Sequence, residues 1–377
     1  MSHLTVAKRI AEKAQDKGWR LMVVGGYVRD QVAAKSSKDV DAEIYGEFEI
    51  RDLVDWLTQI GKVDAVGASF GVLKVTVDGI DLDISTPRRE SKQGKGHKGF
   101  LVKPDPTMSL EEAASRRGFT FNALMLDPLS GQIHDFFNGQ NDLLEGTLRH
   151  TSEAFKDDPL RVLRGMQFCG RFNLSAAQET IKMSNSLKSE FETLPTERIF
   201  SEFSKWARKS TNPSKGLDFM QACGWLDFFP QIESWEKIDE FAGKGEAIVF
   251  AALFSDSGAA KSFMAQIGAP KKLAAKVEAL VANKNSKANA RQLSHDLGKA
   301  SIREWVALTG NQEMLQEAVR EGCADSPQAP FLQGRDLIAQ GHKPGPGMGK
   351  TLRTALKAQL SGQINSREDA LEWSKTQ

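Results

Sequence analysis

Two aspartates two positions apart are the residues of this chain best suited to metal-dependent chemistry. Asp39 and Asp41 stand in KDVDAEIYG, a segment that predicts a β-strand. Successive side chains of a strand point to opposite faces, so residues two apart share one face. Neighbouring carboxylates repel each other, and a cation between them removes that repulsion. Mg²⁺ prefers carboxylate oxygens together with substrate phosphates, so the pair predicts a site for two metal ions.

The residues around this strand favour such a site over a polar strand edge that merely faces water. WRLMVVGG predicts a strand that ends at Gly25 and Gly26, and a helical pattern then begins with Arg29 one turn inside. Backbone N–H groups at the start of a helix bind anions such as a triphosphate. A further segment, IDLDISTPR, alternates Asp81 and Asp83 on another predicted strand, and either one could be a third carboxylate.

The elements that must hold these residues predict an α+β protein of several domains. With 377 residues and 40% hydrophobic content, the chain exceeds what one compact core usually holds. Alternating segments predict a small mixed β-sheet flanked by helices, and from about residue 139 long helical patterns replace them. We therefore expect an N-terminal head at 1–138, followed by an all-α neck at 139–208, body at 209–290 and tail at 291–377.

Composition excludes several classes of protein and leaves nucleic-acid binding open. Lys and Arg number 50 against 49 Asp and Glu, so net charge neither favours nor excludes an RNA partner. The three cysteines are too far apart for a zinc site or a disulfide framework, and they predict reduced thiols in a cytoplasmic protein. The sequence contains neither a signal-peptide pattern nor an apolar run long enough to cross a membrane. Nothing in it points to a protein partner.

Five blocks, taken in order, resemble the class II tRNA nucleotidyltransferases and bacterial poly(A) polymerases of the polymerase β superfamily. The resemblance spans nearly the whole chain. The blocks are GGYVRD with KDVDAEIYG, RRGFTFNALMLDPLSGQIHDFFNGQNDL at 116–143, DDPLRVLRGMQF at 157–168, TERIFSEF at 196–203 and GRDLIAQGHKPGPGMGK at 334–350.

The resemblance implies a role for each matching residue of the head. Asp39 and Asp41 become the metal ligands, and Asp83 matches the third catalytic carboxylate better than Asp81. The remaining matches imply nucleotide contacts by Gly25, Gly26, Arg29, Arg117 and Asn122. One departure concerns Gly118, which stands where the family has an aspartate that contacts the ribose hydroxyl.

The block at 157–168 matches the family's base-recognition motif, which implies that Asp158, Arg161 and Arg164 bind the nucleotide. Their spacing predicts one helix, with Asp158 and Arg161 side by side. A carboxylate accepts an exocyclic N–H and an arginine donates to ring nitrogen or carbonyl, so the pair could read C and A without a template. An ordinary surface ion pair is the alternative. Asp157 replaces the usual glutamate of this motif.

The resemblance implies an enzyme that adds C, C and A, from CTP and ATP, to the 3′ end of tRNA. It implies Mg²⁺ as the cofactor and tRNA, held by its 3′ end and its acceptor and T arm, as the partner. The alternatives are a poly(A) polymerase, an A-adding or CC-adding relative, and a catalytically impaired descendant that only binds RNA.

Overall fold

A computed structural model describes residues 2–35, 40–64, 72–92 and 100–376 of the chain. Its N-terminal part combines a mixed β-sheet with short helices. The strands are β1 Arg20–Val24, β2 Asp41–Tyr45, β3 Lys62–Asp64, β4 Val72–Val77, β5 Ile80–Ser85, β6 Arg88–Lys92, β7 Phe100–Pro104, β8 Met125–Leu126 and β9 Ile133–His134. The helices of this part are α1 His3–Gln15, α2 Gly26–Val32, α3 Ile50–Thr58 and α4 Leu110–Ser115.

The described strands form one main sheet, in the order β3-β4-β5-β2-β1-β8-β9, and β6 pairs with β7 separately. β2 is antiparallel to β1 but parallel to β5, which confirms the predicted mixed sheet. β1 is central and is covered on both faces. Leu21 and Val23 belong to the same core cluster as Ile10 of α1, whereas Met22 belongs to a second cluster. This double burial explains why β1 reads as a continuous apolar run.

After residue 138 the regular secondary structure of the described chain is almost all helical, as predicted. The departure is one parallel pair of two-residue strands, β10 Thr147–Leu148 and β11 Ser175–Ala176. The α-helices of this part are α5 Gly139–Leu144, α6 Leu160–Phe172, α7 Gln178–Ser186, α8 Thr196–Lys209, α9 Pro213–Ala222, α10 Glu246–Ala252, α11 Ser257–Gln266, α12 Lys271–Ala282, α13 Ala290–Leu297, α14 Ile302–Thr309, α15 Gln312–Arg320, α16 Gly334–Ala339, α17 Pro346–Leu360 and α18 Arg367–Ser374.

The chain divides into two compact units. The first comprises Met1–Glu202 with Lys215–Asp227, and the second comprises Phe203–Ser214 with Phe228–Gln377. In the second unit an aromatic core forms around Phe263, which contacts Phe229. The division into head, neck, body and tail remains a prediction. In the described part of the chain, no helix is long and apolar enough to cross a membrane.

Candidate active site

The first unit contains a cleft of about 530 Å³, and most of the predicted site residues line it. The strands β1, β2 and β5 form one wall, while α2, α6 and the segment after α4 supply the others. The predicted residues that line the cleft are Gly25, Gly26, Arg29, Asp41, Asp83, Arg117, Asn122, Arg161 and Arg164. The other polar residues of its lining include Glu43, Ser85, Thr86, Arg88 and Arg116. Asp39 lies outside the described residues.

The carboxylates of the cleft come from two neighbouring parallel strands. In the register of β2 and β5, Asp41 lies opposite Asp83. Asp81 is not part of the cleft: it pairs with Lys74 at 3.0 Å and accepts a hydrogen bond from Thr76. Of the two aspartates on β5, the structure therefore brings Asp83 to Asp41.

Two such carboxylates supply the hard oxygen ligands that suit a divalent metal ion. Within the described ranges, no group of three or more His, Cys, Asp or Glu side chains could hold a metal. Asp41 and Asp83 could form part of a metal site, and the role of both as metal ligands remains a prediction.

The glycine turn before α2 depends on a backbone conformation that other residues rarely adopt. Gly25 has φ of +69° and ψ of −128°. A Cβ atom there would lie 3.4 Å from Nη1 of Arg117 and 4.0 Å from Oδ2 of Asp41. Glycine thus allows the chain to turn tightly beside both the carboxylate and the arginine, as the sequence predicts.

Arg29 is buried at the start of the cleft and is held from several sides. Its Nε and Nη2 donate to Oδ1 of Asp30 at 2.8 and 2.7 Å, and its Nη1 donates to Oδ1 of Asn122 at 2.7 Å. Its guanidinium also lies 4.8 Å from the ring centroid of Phe172. Burial lowers the pKa of Arg29, and Asp30 opposes that effect. Arg29 thus ties α2 to Asn122, and its predicted contact with a triphosphate remains a prediction.

Arg117 is held by a glutamate that the sequence analysis does not single out. Its Nη2 donates to Oε1 of Glu43 at 2.7 Å, and Tyr45 donates its hydroxyl to Oε2 of Glu43 at 2.6 Å. Burial, followed by the charge of Glu43, raises the pKa of Tyr45, so the phenol stays protonated. The signal was present in DVDAE, where Glu43 continues the alternation of Asp39 and Asp41 on one strand face.

Thr86 is a second residue of the cleft that the sequence analysis misses. Its side chain is buried, and its hydroxyl has no hydrogen-bond partner among the described residues. No spacing rule marks a lone threonine after a strand, so only the tertiary structure reveals it.

The base-recognition motif differs from its predicted geometry. The prediction that Asp158 lies on the same helix as Arg161 is wrong, because α6 begins at Leu160 and Asp158 has an extended backbone. The physical reason is Pro159, since a proline disfavours helical geometry in the residue before it. Asp158 is not part of the cleft lining, and its Oδ2 accepts a hydrogen bond from Arg198 at 3.1 Å.

The two arginines of this motif lie on α6, one turn apart, and both line the cleft. Arg161 donates to the backbone carbonyls of Ala154 and Arg116, the latter at 2.9 Å. Nε of Arg164 lies 3.8 Å from Oε1 of Glu202. Asp158 therefore pairs with Arg198, and Arg161 donates to main-chain carbonyls, in place of the predicted side-by-side pair.

Gly118 leaves room for Arg161. A Cβ atom at position 118 would lie 3.1 Å from Cδ of Arg161 and 3.5 Å from its Nε. The backbone of Gly118 is outside the left-handed region, so conformational freedom is not the reason for a glycine here.

Residues 21–149 match the family described as Poly A polymerase head domain. The chain is 34% identical over 214 residues to the Multifunctional CCA protein of Nitrosococcus oceani, covering 56% of this chain and 50% of that protein. It is 32% identical over 266 residues to the protein of the same name from Neisseria meningitidis serogroup C, covering 64% of this chain and 61% of that protein. The chain thus spans about half to three fifths of the length of these curated relatives.

Solved structures share the whole fold. The Bacillus stearothermophilus CCA-adding enzyme in complex with CTP aligns with a TM-score of 0.75 at 20% identity, over 100% of this chain and 98% of that one. The Thermotoga maritima CCA-adding enzyme complexed with tRNA aligns with a TM-score of 0.68 at 20% identity, over 99% and 94%. At this identity the likeness concerns the fold.

The fold and the cleft together define a protein with a mixed-sheet head, followed along the chain by a long helical region. Residues 21–149 match the Poly A polymerase head domain family, and the chain as a whole has the fold of the CCA-adding enzymes.

Proposed function

We propose that this chain is a template-independent RNA nucleotidyltransferase that adds C, C and A to the 3′ end of tRNA, with CTP and ATP as substrates. The observation that carries the proposal is the cleft, where Asp41 lies opposite Asp83 and six arginines belong to the lining. The relatives named as CCA proteins support the choice of tRNA. The six arginines are Arg29, Arg88, Arg116, Arg117, Arg161 and Arg164.

The charges of the cleft suit a nucleoside triphosphate. The carboxylates lie on strands, and four of the six arginines come from α6 and from the segment after α4, with Arg29 on α2 and Arg88 on β6. Arginine forks bind phosphate oxygens with two parallel hydrogen bonds, which fixes a phosphate chain in one orientation. The α-phosphate would thereby lie towards Asp41 and Asp83, where the 3′-hydroxyl of the RNA attacks it and pyrophosphate leaves.

Asp39, Asp41 and Asp83 would hold the cofactor, which we propose to be Mg²⁺. When bound, such ions lower the pKa of the attacking hydroxyl and stabilise the leaving pyrophosphate. The role of the protein residues is to orient the two substrates. Gly25 and Gly26 give the phosphates access to the backbone of the turn, and Asn122 holds Arg29 in place.

For the choice of base we propose Asp158, Arg161 and Arg164. In the structure Arg161 and Arg164 already line the cleft, whereas Asp158 pairs with Arg198. Selection of C and A therefore requires Asp158 to turn from Arg198 towards the base when the nucleotide binds. The helical region after the head would hold the acceptor and T arm of the tRNA. The buried free thiols of Cys169, Cys223 and Cys323 support a cytoplasmic location.

One assay tests the proposal against its alternatives. The protein is incubated with tRNA ending in the discriminator base, in C or in CC, each triphosphate is supplied singly, and the products are sequenced. We expect C on the first two substrates and A on the third. Addition limited to A or to CC would identify a partial enzyme. A long A tract on unrelated RNA would identify a poly(A) polymerase, the activity that the matched head-domain family is named for. RNA binding without any addition would refute the enzymatic proposal.

A further inference from the structure

Glu43 is a largely buried carboxylate that lines the cleft beside Asp41. It lies on β2 two residues after Asp41, so both side chains project from the same face. Both line the cleft, and the side chain of Glu43 is only 14% exposed. A carboxylate at this depth needs charged or hydrogen-bonding partners.

The two oxygens of Glu43 have separate partners. Oε1 accepts from Nη2 of Arg117 at 2.7 Å, and Oε2 accepts from the Tyr45 hydroxyl at 2.6 Å. Tyr45 is buried in the core on the same strand, so it fixes the carboxylate from behind. The hydrogen bond from Arg117 to Glu43 therefore restrains the arginine against the sheet, although the two residues are 74 positions apart in the chain.

The rest of the Arg117 guanidinium is directed at the turn of the cleft. Its Nη1 lies 3.4 Å from the point where a Cβ of Gly25 would be, so the arginine stands directly over the glycine turn. Its Nε is buried and has no hydrogen-bond partner in the described part of the chain. The N–H of Nε lies on the Nη2 side of the guanidinium, where Nη2 donates to Glu43, so it faces away from Nη1. The position of Nη1 is therefore the observation that points to a ligand at the glycine turn.

We propose that Glu43 is a positioning residue that holds Arg117 over the glycine turn, ready to bind the phosphates of the incoming nucleotide. The inference rests on the proposed function, because it requires the cleft to bind a nucleoside triphosphate. Glu43 does not contact the substrate in this scheme. It acts through Arg117, and its loss leaves the arginine free to adopt other rotamers.

A double-mutant cycle tests this role by CTP and ATP binding, measured by calorimetry on the full chain. We expect Glu43→Ala to weaken binding of both nucleotides about tenfold or more, as expected for the loss of a charged hydrogen bond that orders the arginine. In the Arg117→Ala background the same substitution should change binding less than about twofold, because the residue it positions is gone. Glu47→Ala is the matched control: it removes the same charge four residues later, outside the cleft.

The separate effects of Glu43→Ala on KM and on kcat distinguish a positioning role from a general loss of structure. Glu43→Ala should raise KM for CTP and ATP while kcat at saturating nucleotide stays within about threefold, and the melting temperature is recorded for each variant. If Glu43→Ala does not fold, Glu43→Gln takes its place, since the amide oxygen can still accept from Arg117 but without the charge. The expected loss for Glu43→Gln is smaller than tenfold.

Three results would overturn the inference. Equal weakening in both backgrounds would show that Glu43 acts independently of Arg117. Unchanged binding of CTP and ATP by Glu43→Ala would show that Glu43 is not required to position Arg117. A natural protein that binds neither CTP nor ATP would overturn this inference and the proposed function together. Binding that shows the expected coupling without any addition to tRNA would refute the proposed activity alone and support the role of Glu43.

Discussion

Gly118→Asp restores the carboxylate that the family resemblance expects at this position, and the structure indicates what it would meet. The φ of position 118 lies outside the left-handed region, so an aspartate there avoids the strain of a positive φ. Its Cβ would lie 3.1 Å from Cδ of Arg161, closer than normal packing allows. Arg161 must therefore shift by a few tenths of an ångström, and its hydrogen bonds to the carbonyls of Ala154 and Arg116 would weaken.

We expect the natural Gly118 protein to use dATP and dCTP unusually well, because it lacks the carboxylate that would accept the ribose 2′-hydroxyl proton. A hydrogen bond to a charged group contributes about 1.5–3 kcal/mol. That energy corresponds to about a ten- to hundredfold preference for ribonucleotides, which Gly118→Asp should restore.

The assay compares kcat/KM for ATP and dATP on tRNA ending in CC. Gly118→Ala is the matched control, because it introduces the Cβ contact with Arg161 but no carboxylate. An equal rise in ribose preference in the alanine variant would attribute the effect to displacement of Arg161. If the natural protein already rejects dATP by about a hundredfold or more, another residue or an ordered water selects the sugar and the reasoning is refuted.

Three further predictions concern the carboxylates and the glycine turn. Asp41→Ala should reduce nucleotide addition by more than about 10²–10³ while tRNA retention on filters stays unchanged, and near-normal turnover with Mg²⁺ would contradict the metal assignment. Asp158→Ala should lower discrimination of C and A against U by about one to two orders of magnitude, and unchanged UTP misincorporation would leave Asp158 as a structural partner of Arg198. Gly25→Ala should lower the free energy of unfolding by about 1–3 kcal/mol, because alanine is strained at φ of +69°. An unchanged melting temperature would contradict this loss of stability.

The sequence by itself determined the local features of the head. The glycine turn and the strand that carries Asp41 lie where the pattern predicts them, because alternation and glycine placement report directly on backbone conformation. The switch to helices near residue 139 also follows from local periodicity. The order of the motifs predicted the family that residues 21–149 match.

Only the tertiary structure decided which side chains meet. Alternation places Asp81 and Asp83 on one face but cannot choose between them, because strand register depends on pairing with a distant segment, here β2. The contact between Glu43 and Arg117 joins residues 74 positions apart, and no local pattern encodes such a distance.

The base-recognition motif illustrates the same limit at short range. Its spacing suggests one helical face, yet Pro159 keeps Asp158 out of α6, and Arg198 of the later helix α8 then pairs with it. The side chain of Arg161 occupies the space beside Gly118, which is visible only once the two segments are packed together. Local patterns predict the backbone conformation and the side of a strand or helix on which each side chain lies. The partner of each charged group depends on how distant segments pack.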